Sequence, residues 1–248
     1  MFLYLTVFFS FLLGSIESQA HHRKFSKKDR SSIRYSFSAK HHSQSTGKSY
    51  QGRELAEVMG AAGIPWLDRP QRQKEEDLLQ LVESLGLKKS MRVADIGAGS
   101  GVLSLMMAKS VGKTGMVYAV DIQKEMLHAI KSKAKKAGLT QVKPVLGSLK
   151  QSGLKAQSID LALMVDVYHE FSHPYEMMDS IIKSLKIGGR IALVEYRGED
   201  PKVPIKLLHK MTLKQIKKEY SLFKGRLKFS GLYRKLPRQH LVFYTRIN

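Results

Sequence analysis

An acidic residue followed by three glycines at alternate positions makes Asp95-Ile96-Gly97-Ala98-Gly99-Ser100-Gly101 the segment best suited to chemistry. It links an apolar run, Met91–Ile96, to a helical one, Gly101–Ser110. A tight strand-to-helix turn that lets a ligand approach the backbone needs residues without Cβ. Open α/β sheets bind ligands beyond the carboxyl ends of such strands. Spacing excludes two phosphate-binding loops. Val102-Leu103 stand where a phosphate loop carries Lys-Ser/Thr, and position 102 is Val where a dinucleotide loop has its third glycine. A carboxylate ahead of the glycines repels a pyrophosphate but suits a cationic ligand.

A second acid, Asp121, ends the next strand, 20 residues past Gly101. An ionised carboxylate there can accept hydrogen bonds from both hydroxyls of a ribose. Gly147 and Ser148 stand at the third strand end, positioned to meet an adenine edge. Asp166 stands at the fourth, within Met164-Val165-Asp166-Val167-Tyr168-His169-Glu170-Phe171. His169 and Glu170 are the candidate general bases, His169 because imidazole titrates near neutrality. Against that role, a histidine here can simply cap the strand end or pack on Tyr168, and a loop carboxylate is usually solvated. Tyr168 and Tyr196 suit an aromatic wall or half-buried core. Glu195-Tyr196-Arg197 either orient a polar acceptor or pair with one another.

The elements that must carry these residues alternate. Strands are expected at Met91–Ile96, Met116–Val120, Val142–Leu146, Ile159–Val165 and Arg190–Glu195. Between them helices are expected at Gly101–Ser110, Gln123–Ala137 and Tyr175–Leu185. Apolar residues at 78, 79, 81, 82 and 85 predict a helix over Lys74–Leu85, stopped by Gly86. Arg53–Gly60 reads as a short helix, Pro65-Trp66-Leu67 as an anchored turn, and Thr212–Tyr220 as a late helix. Gly225–Leu232 and His240–Arg246 alternate like closing antiparallel strands. This order implies an α/β fold with a mostly parallel sheet covered on both faces.

The chain has 248 residues, 43% of them hydrophobic and none of them cysteine. Disulfides, thiolate metal sites and cysteine nucleophiles are therefore excluded. The net charge of +21 is concentrated at the ends. Residues 21–50 carry +7 and residues 197–248 carry +11, against only +4 over 51–196. Cationic ends favour an anionic surface or polyanion, or serve only solubility. Met1–Leu13 is almost wholly apolar, and Ser18-Gln19-Ala20 spaces small residues as a cleavage site requires. Residues 1–20 are thus expected to be a signal peptide or an uncleaved anchor, directing the chain to the secretory pathway or to export. Residues 21–50 read as a basic flexible linker, and 51–248 as the folded domain. His21, His22, His41 and His42 lack a carboxylate framework, and no metal site is expected.

From about Leu78 to Arg246 the chain resembles the class I S-adenosylmethionine-dependent methyltransferases. The resemblance rests on Asp95–Gly101, on Asp121, and on Leu185-Lys186-Ile187-Gly188-Gly189-Arg190 after the fourth helix. Gly52–Trp66, Val165–Tyr175 and Val194–Lys210 are similar to a subgroup of methyltransferase-domain proteins, often with secretory leaders and with no defined substrate. The resemblance implies a Rossmann-like, doubly wound, seven-stranded sheet with its last strand antiparallel, and S-adenosylmethionine as cofactor. It places Asp95, Gly97, Gly99 and Gly101 along the methionine and ribose side. Asp121, with Ile122 beside it, would hold the ribose, and Ser148 and Asp166 would flank the adenine and the substrate mouth. Many family members carry an acid where Ser148 stands. The implied reaction is in-line methyl transfer with no covalent enzyme intermediate, so alignment and desolvation can supply most of the catalysis. Cysteine-dependent cytosine methylation is excluded, and Asp166-Val167-Tyr168-His169 lacks the Pro-Pro pair typical of exocyclic-amine methylation. A small-molecule or lipid-like acceptor remains, with a protein side chain behind it, and the alternative is a non-catalytic protein of this fold that binds a polyanion through its basic ends.

Overall fold

The computed structural model describes residues 34–248. The expected leader and residues 21–33 of the expected linker lie outside the described residues. No helix among the described residues is long and apolar enough to cross a membrane.

Residues 34–56, read as linker and helix, form a small antiparallel sheet instead. Its strands are β1 (Tyr35–Phe37), β2 (Ser45–Tyr50) and β3 (Arg53–Ala56). Gln51 and Gly52 turn the β2–β3 hairpin with positive φ at both positions, the backbone such a two-residue turn needs. Arg53-Glu54-Leu55-Ala56 are good helix formers, but strand pairing that fully buries Leu55 and Ala56 overrides propensity. Short α1 (Ile64–Leu67) follows, at the anchored turn. The single helix expected over 74–85 divides into α2 (Arg72–Glu76) and α3 (Leu78–Ser84). Asp77 breaks it with φ 53°, and its side chain caps α3 by accepting from Gln80 N.

The remaining elements alternate much as the sequence predicts. They are β4 (Arg92–Ile96), α4 (Val102–Val111), β5 (Met116–Asp121), α5 (Lys124–Lys136), β6 (Val142–Leu146), β7 (Ile159–Val165), α6 (Pro174–Ser184) and β8 (Leu185–Tyr196). Then come α7 (Leu213–Tyr220), β9 (Leu227–Tyr233) and β10 (Gln239–Arg246). The seven strands run in the order β6-β5-β4-β7-β8-β10-β9, and β10 alone runs opposite to the other six. This is the Rossmann-like sheet that the resemblance implies.

Each face of the sheet buries its own apolar layer. Leu81, Leu103, Met107 and Ile130 fill one side, from α3, α4 and α5. Met178, Ile181, Ile216 and Tyr220 fill the other, from α6 and α7. Burying a side chain of this size stabilises by about 1.5–3 kcal/mol. Strand order reverses between β4 and β7, so the crossovers leave to opposite sides there. The crevice opened at that switch point lies beyond Ile96, Asp121 and Val165.

Candidate functional site

Three backbone features shape the crevice. The glycine loop leaves β4 and folds back on β5, where Gly97 N and Ala98 N both donate to Val120 O at 2.8 and 2.9 Å. Gly97 has φ 69°, and a Cβ there would overlap the Val167 side chain. Gly101 has φ 85°, and a Cβ there would lie 2.7 Å from Ile130 Cγ1. Glycine is therefore required for conformation and for space. The cavity below this loop has a volume of about 520 Å³. Asp95, Gly97, Gly99, Asp121, Ser148 and Asp166 all line it, as does Ile122. Gly101 stands just behind the lining, at the start of α4.

Asp121 is fixed by backbone at both oxygens. Oδ2 accepts from Gly99 N and Oδ1 from Gln123 N, each at 2.9 Å. Burial raises its proton affinity, and the N–H groups of Gln123, Gly99 and Ile122 pull it back. Each oxygen keeps a lone pair for a ligand hydroxyl. Asp95 is buried and accepts from Ser104 Oγ at 2.6 Å. Burial lifts it to about 6, opposed by the Ser104 hydrogen bond. Ser148 is exposed, and its Oγ accepts from Gln151 N at 3.1 Å, closing its own turn. Asp166 sits in a left-handed backbone conformation, φ 50°. Its Oδ2 accepts from Gln239 Nε2 at 2.9 Å, while Oδ1 finds no partner among the described residues. Burial, with Glu76 and Glu195 nearby, pushes its carboxyl well above the usual range.

The candidate bases, also in the lining, are more deeply enclosed than a loop position suggests. His169 and Glu170 lie in a one-turn helix after β7, at 2% and 7% exposure. His169 Nδ1 is 2.6 Å from Glu195 Oε2, and its Nε2 is 3.0 Å from Nδ1 of His209. Burial lowers His169 to about 4, so it is a weak base. Glu170 accepts from Met59 N at 3.2 Å, and burial raises it to about 7. Of the two readings of Glu195-Tyr196-Arg197, the pairing of these residues with one another does not form. Glu195 faces His169, Tyr196 Oη donates to Glu76, and Arg197 Nη1 donates to the carbonyls of Leu236 and Gln239.

Several lining residues had no sequence signal. Glu76 and Arg72, paired at 2.7 Å, form a buried part of the wall. His209 comes 40 residues after His169, and only the segment returning from β8 brings the two together.

Residues 87–233 match the family described as a methyltransferase domain. The chain belongs to that family. Among its relatives, a protein-L-isoaspartate O-methyltransferase of Methanococcus aeolicus is 32% identical over 111 residues, 45% of this chain and 49% of that protein. A ubiquinone/menaquinone biosynthesis C-methyltransferase of Psychromonas ingrahamii is 27% identical over 116 residues, 46% of each chain. This methyltransferase-domain chain thus spans about half the length of the curated relatives it matches. The crystal structure of a SAM-dependent methyltransferase from Aquifex aeolicus superimposes with a TM-score of 0.71 at 22% identity. It covers 77% of this chain and 100% of that one, and it supports the fold. S-adenosylmethionine is the cofactor of this family, and the methyltransferase-domain residues fit it. The cradle at Gly97 admits no side chain, and the Asp95 and Asp121 carboxylates suit a cation.

Proposed function

We propose that the protein transfers a methyl group from S-adenosylmethionine to a small-molecule or lipid-like acceptor. The observation that carries this reading is the Asp121 carboxylate, hydrogen-bonded to Gly99 at the edge of a cavity lined by carboxylates. The lining carries Glu76, Asp95, Asp121, Asp166 and Glu170 against Arg69, Arg72 and Lys206, so acids outnumber bases there in a chain of +21, as a cationic ligand favours.

When bound, the donor supplies an electrophilic sulfonium methyl group. Asp121 would hold the ribose hydroxyls, Ile122 would pack beside them, and Asp95 would face the positive charge. The glycine loop would fix the ligand against backbone. Orientation of this kind contributes ~7 kcal/mol or more to a bimolecular transfer. Apolar walls from Val165, Val167 and Met177 would exclude water from the reacting centre.

The rim supports an apolar acceptor. Val58, Met59, Trp66 and Leu149 line the mouth, each more than a third exposed. Leu207, next to the lining residue Lys206, is 84% exposed. Side chains of this kind at a rim offer an apolar contact for a substrate. The +11 charge of residues 197–248 supports an anionic surface as a further contact. Delivery to the secretory pathway through residues 1–20 belongs to the same proposal.

Isothermal calorimetry of the full chain with S-adenosylmethionine and S-adenosylhomocysteine tests the reading. Saturable binding of both is expected. Failure of the folded protein to bind either would overturn it.

A further inference from the structure

Glu170, His169 and His209 form a cluster that methyl transfer by alignment does not need. We infer that they hold a divalent transition-metal ion, of which Zn²⁺ is the probe, in the wall of the cavity. The three atoms that would bind it face one another. His169 Nε2 and His209 Nδ1 are 3.0 Å apart, His169 Nε2 and Glu170 Oε1 3.9 Å, and His209 Nδ1 and Glu170 Oε1 3.7 Å. Ligand atoms about 2.0–2.1 Å from a tetrahedral ion stand about 3.4 Å from each other, which lies inside this range. Two imidazoles and a carboxylate are the donor set of borderline ions such as Zn²⁺.

The surroundings fit a metal site in three further ways. His169 turns its other nitrogen onto Glu195 Oε2 at 2.6 Å, the carboxylate–imidazole relation that orients metal-bound histidines. Glu195 is wholly buried, so the ring has a rigid support. Arg53 is already paired with Glu219 at 2.8 Å and points a third nitrogen at the His169 carbonyl. Finally, all three ligand residues line the cavity, so a fourth position faces the cavity.

Without an ion, a single N–H shared between the rings accounts for their 3.0 Å separation, and an ion would replace that proton. Resting on the methyltransferase reading, the consequence for substrate is an acceptor with a hydroxyl oxygen. Bound in the fourth position, that oxygen would give up its proton to water and be presented as an anion.

The test uses the purified full chain, stripped with a chelator and titrated with Zn²⁺ by calorimetry. One ion per chain at micromolar affinity or tighter is expected. His209→Ala, at a half-buried ring, should weaken it at least tenfold, and Glu195→Gln by about 10–100-fold. Co²⁺ should give visible ligand-field bands in the parent that disappear in His209→Ala. Lack of saturable binding would overturn the site, as would unchanged affinity in His209→Ala, which would move the ion to the histidines of residues 21–42. S-adenosylmethionine binding is measured in the same stripped protein. Its loss with Zn²⁺ binding intact would defeat the methyltransferase reading and leave the metal site standing. Retained donor binding with no Zn²⁺ site would do the reverse.

Discussion

Arg53 clasps Glu219 through two parallel hydrogen bonds, Nε to Oε1 at 2.8 Å and Nη2 to Oε2 at 3.0 Å, although 166 positions separate them. Tyr168 Oη donates to the same Oε2 at 2.7 Å, and Arg53 Nη1 donates to the His169 carbonyl at 3.1 Å. The pair ties β3 to α7 and holds the segment after β7 between them. Glu219 is fully buried, so removing its partner strands a charge. Arg53→Met is expected to cost about 3–5 kcal/mol in urea unfolding. Adding Glu219→Leu should recover most of that loss, and a double variant no more stable than Arg53→Met would contradict the assignment.

Asp121→Ala should leave the fold intact and remove donor binding. Two hydrogen bonds to an ionised group contribute about 1.5–3 kcal/mol each, so affinity should fall at least about a hundredfold. Calorimetry with S-adenosylhomocysteine measures this directly. Unchanged affinity would show that Asp121 does not hold the ribose.

At Gly101 the expected defect is one of folding. Alanine there would adopt φ 85° with its Cβ 2.7 Å from Ile130 Cγ1. Backbone strain and overpacking together should cost about 2–5 kcal/mol. A melting temperature for Gly101→Ala within a degree of the parent would refute this.

Asp95 makes stability depend on pH. Its proton affinity rises from an ordinary value of 3.8 to about 6 on folding. Between those values the folded chain binds more protons than the unfolded one. Stability from this group is therefore full below about pH 4 and declines until about pH 6. Asp95→Asn should abolish that decline and be more stable above pH 6, by at most about 3 kcal/mol. The same variant should bind the cationic donor less well. Parallel melting curves for parent and variant from pH 4 to 8 would disprove the shift.

The sheet could be read from sequence because its strands are continuous apolar runs with glycine or acid at their ends. Ile159–Val165 is the clearest, and it is β7 to the residue. Asp95, the glycines and Asp121 were equally legible, since local spacing alone brings a loop back onto the next strand. The amino-terminal sheet was not. Its β2 sequence, Ser-Thr-Gly-Lys-Ser-Tyr, has no apolar alternation, and it buries Ser45 and Lys48 instead. Lys48 is tolerated there because Nζ donates to Ser172 O at 2.9 Å and lies over the Tyr35 ring. A partner 124 residues away leaves no trace in local pattern. His209 was missed for the same reason, as its meaning depends on where the segment after β8 returns.

Asp166 follows β7 with one oxygen shielded from water and answered by no N–H or O–H group among the described residues. Shielding an acceptor in this way costs about 1–3 kcal/mol. A ligand that extends an amino or hydroxyl hydrogen to that atom would offset this cost. Selectivity at this corner would then favour whichever molecule can donate, over one of equal shape that cannot.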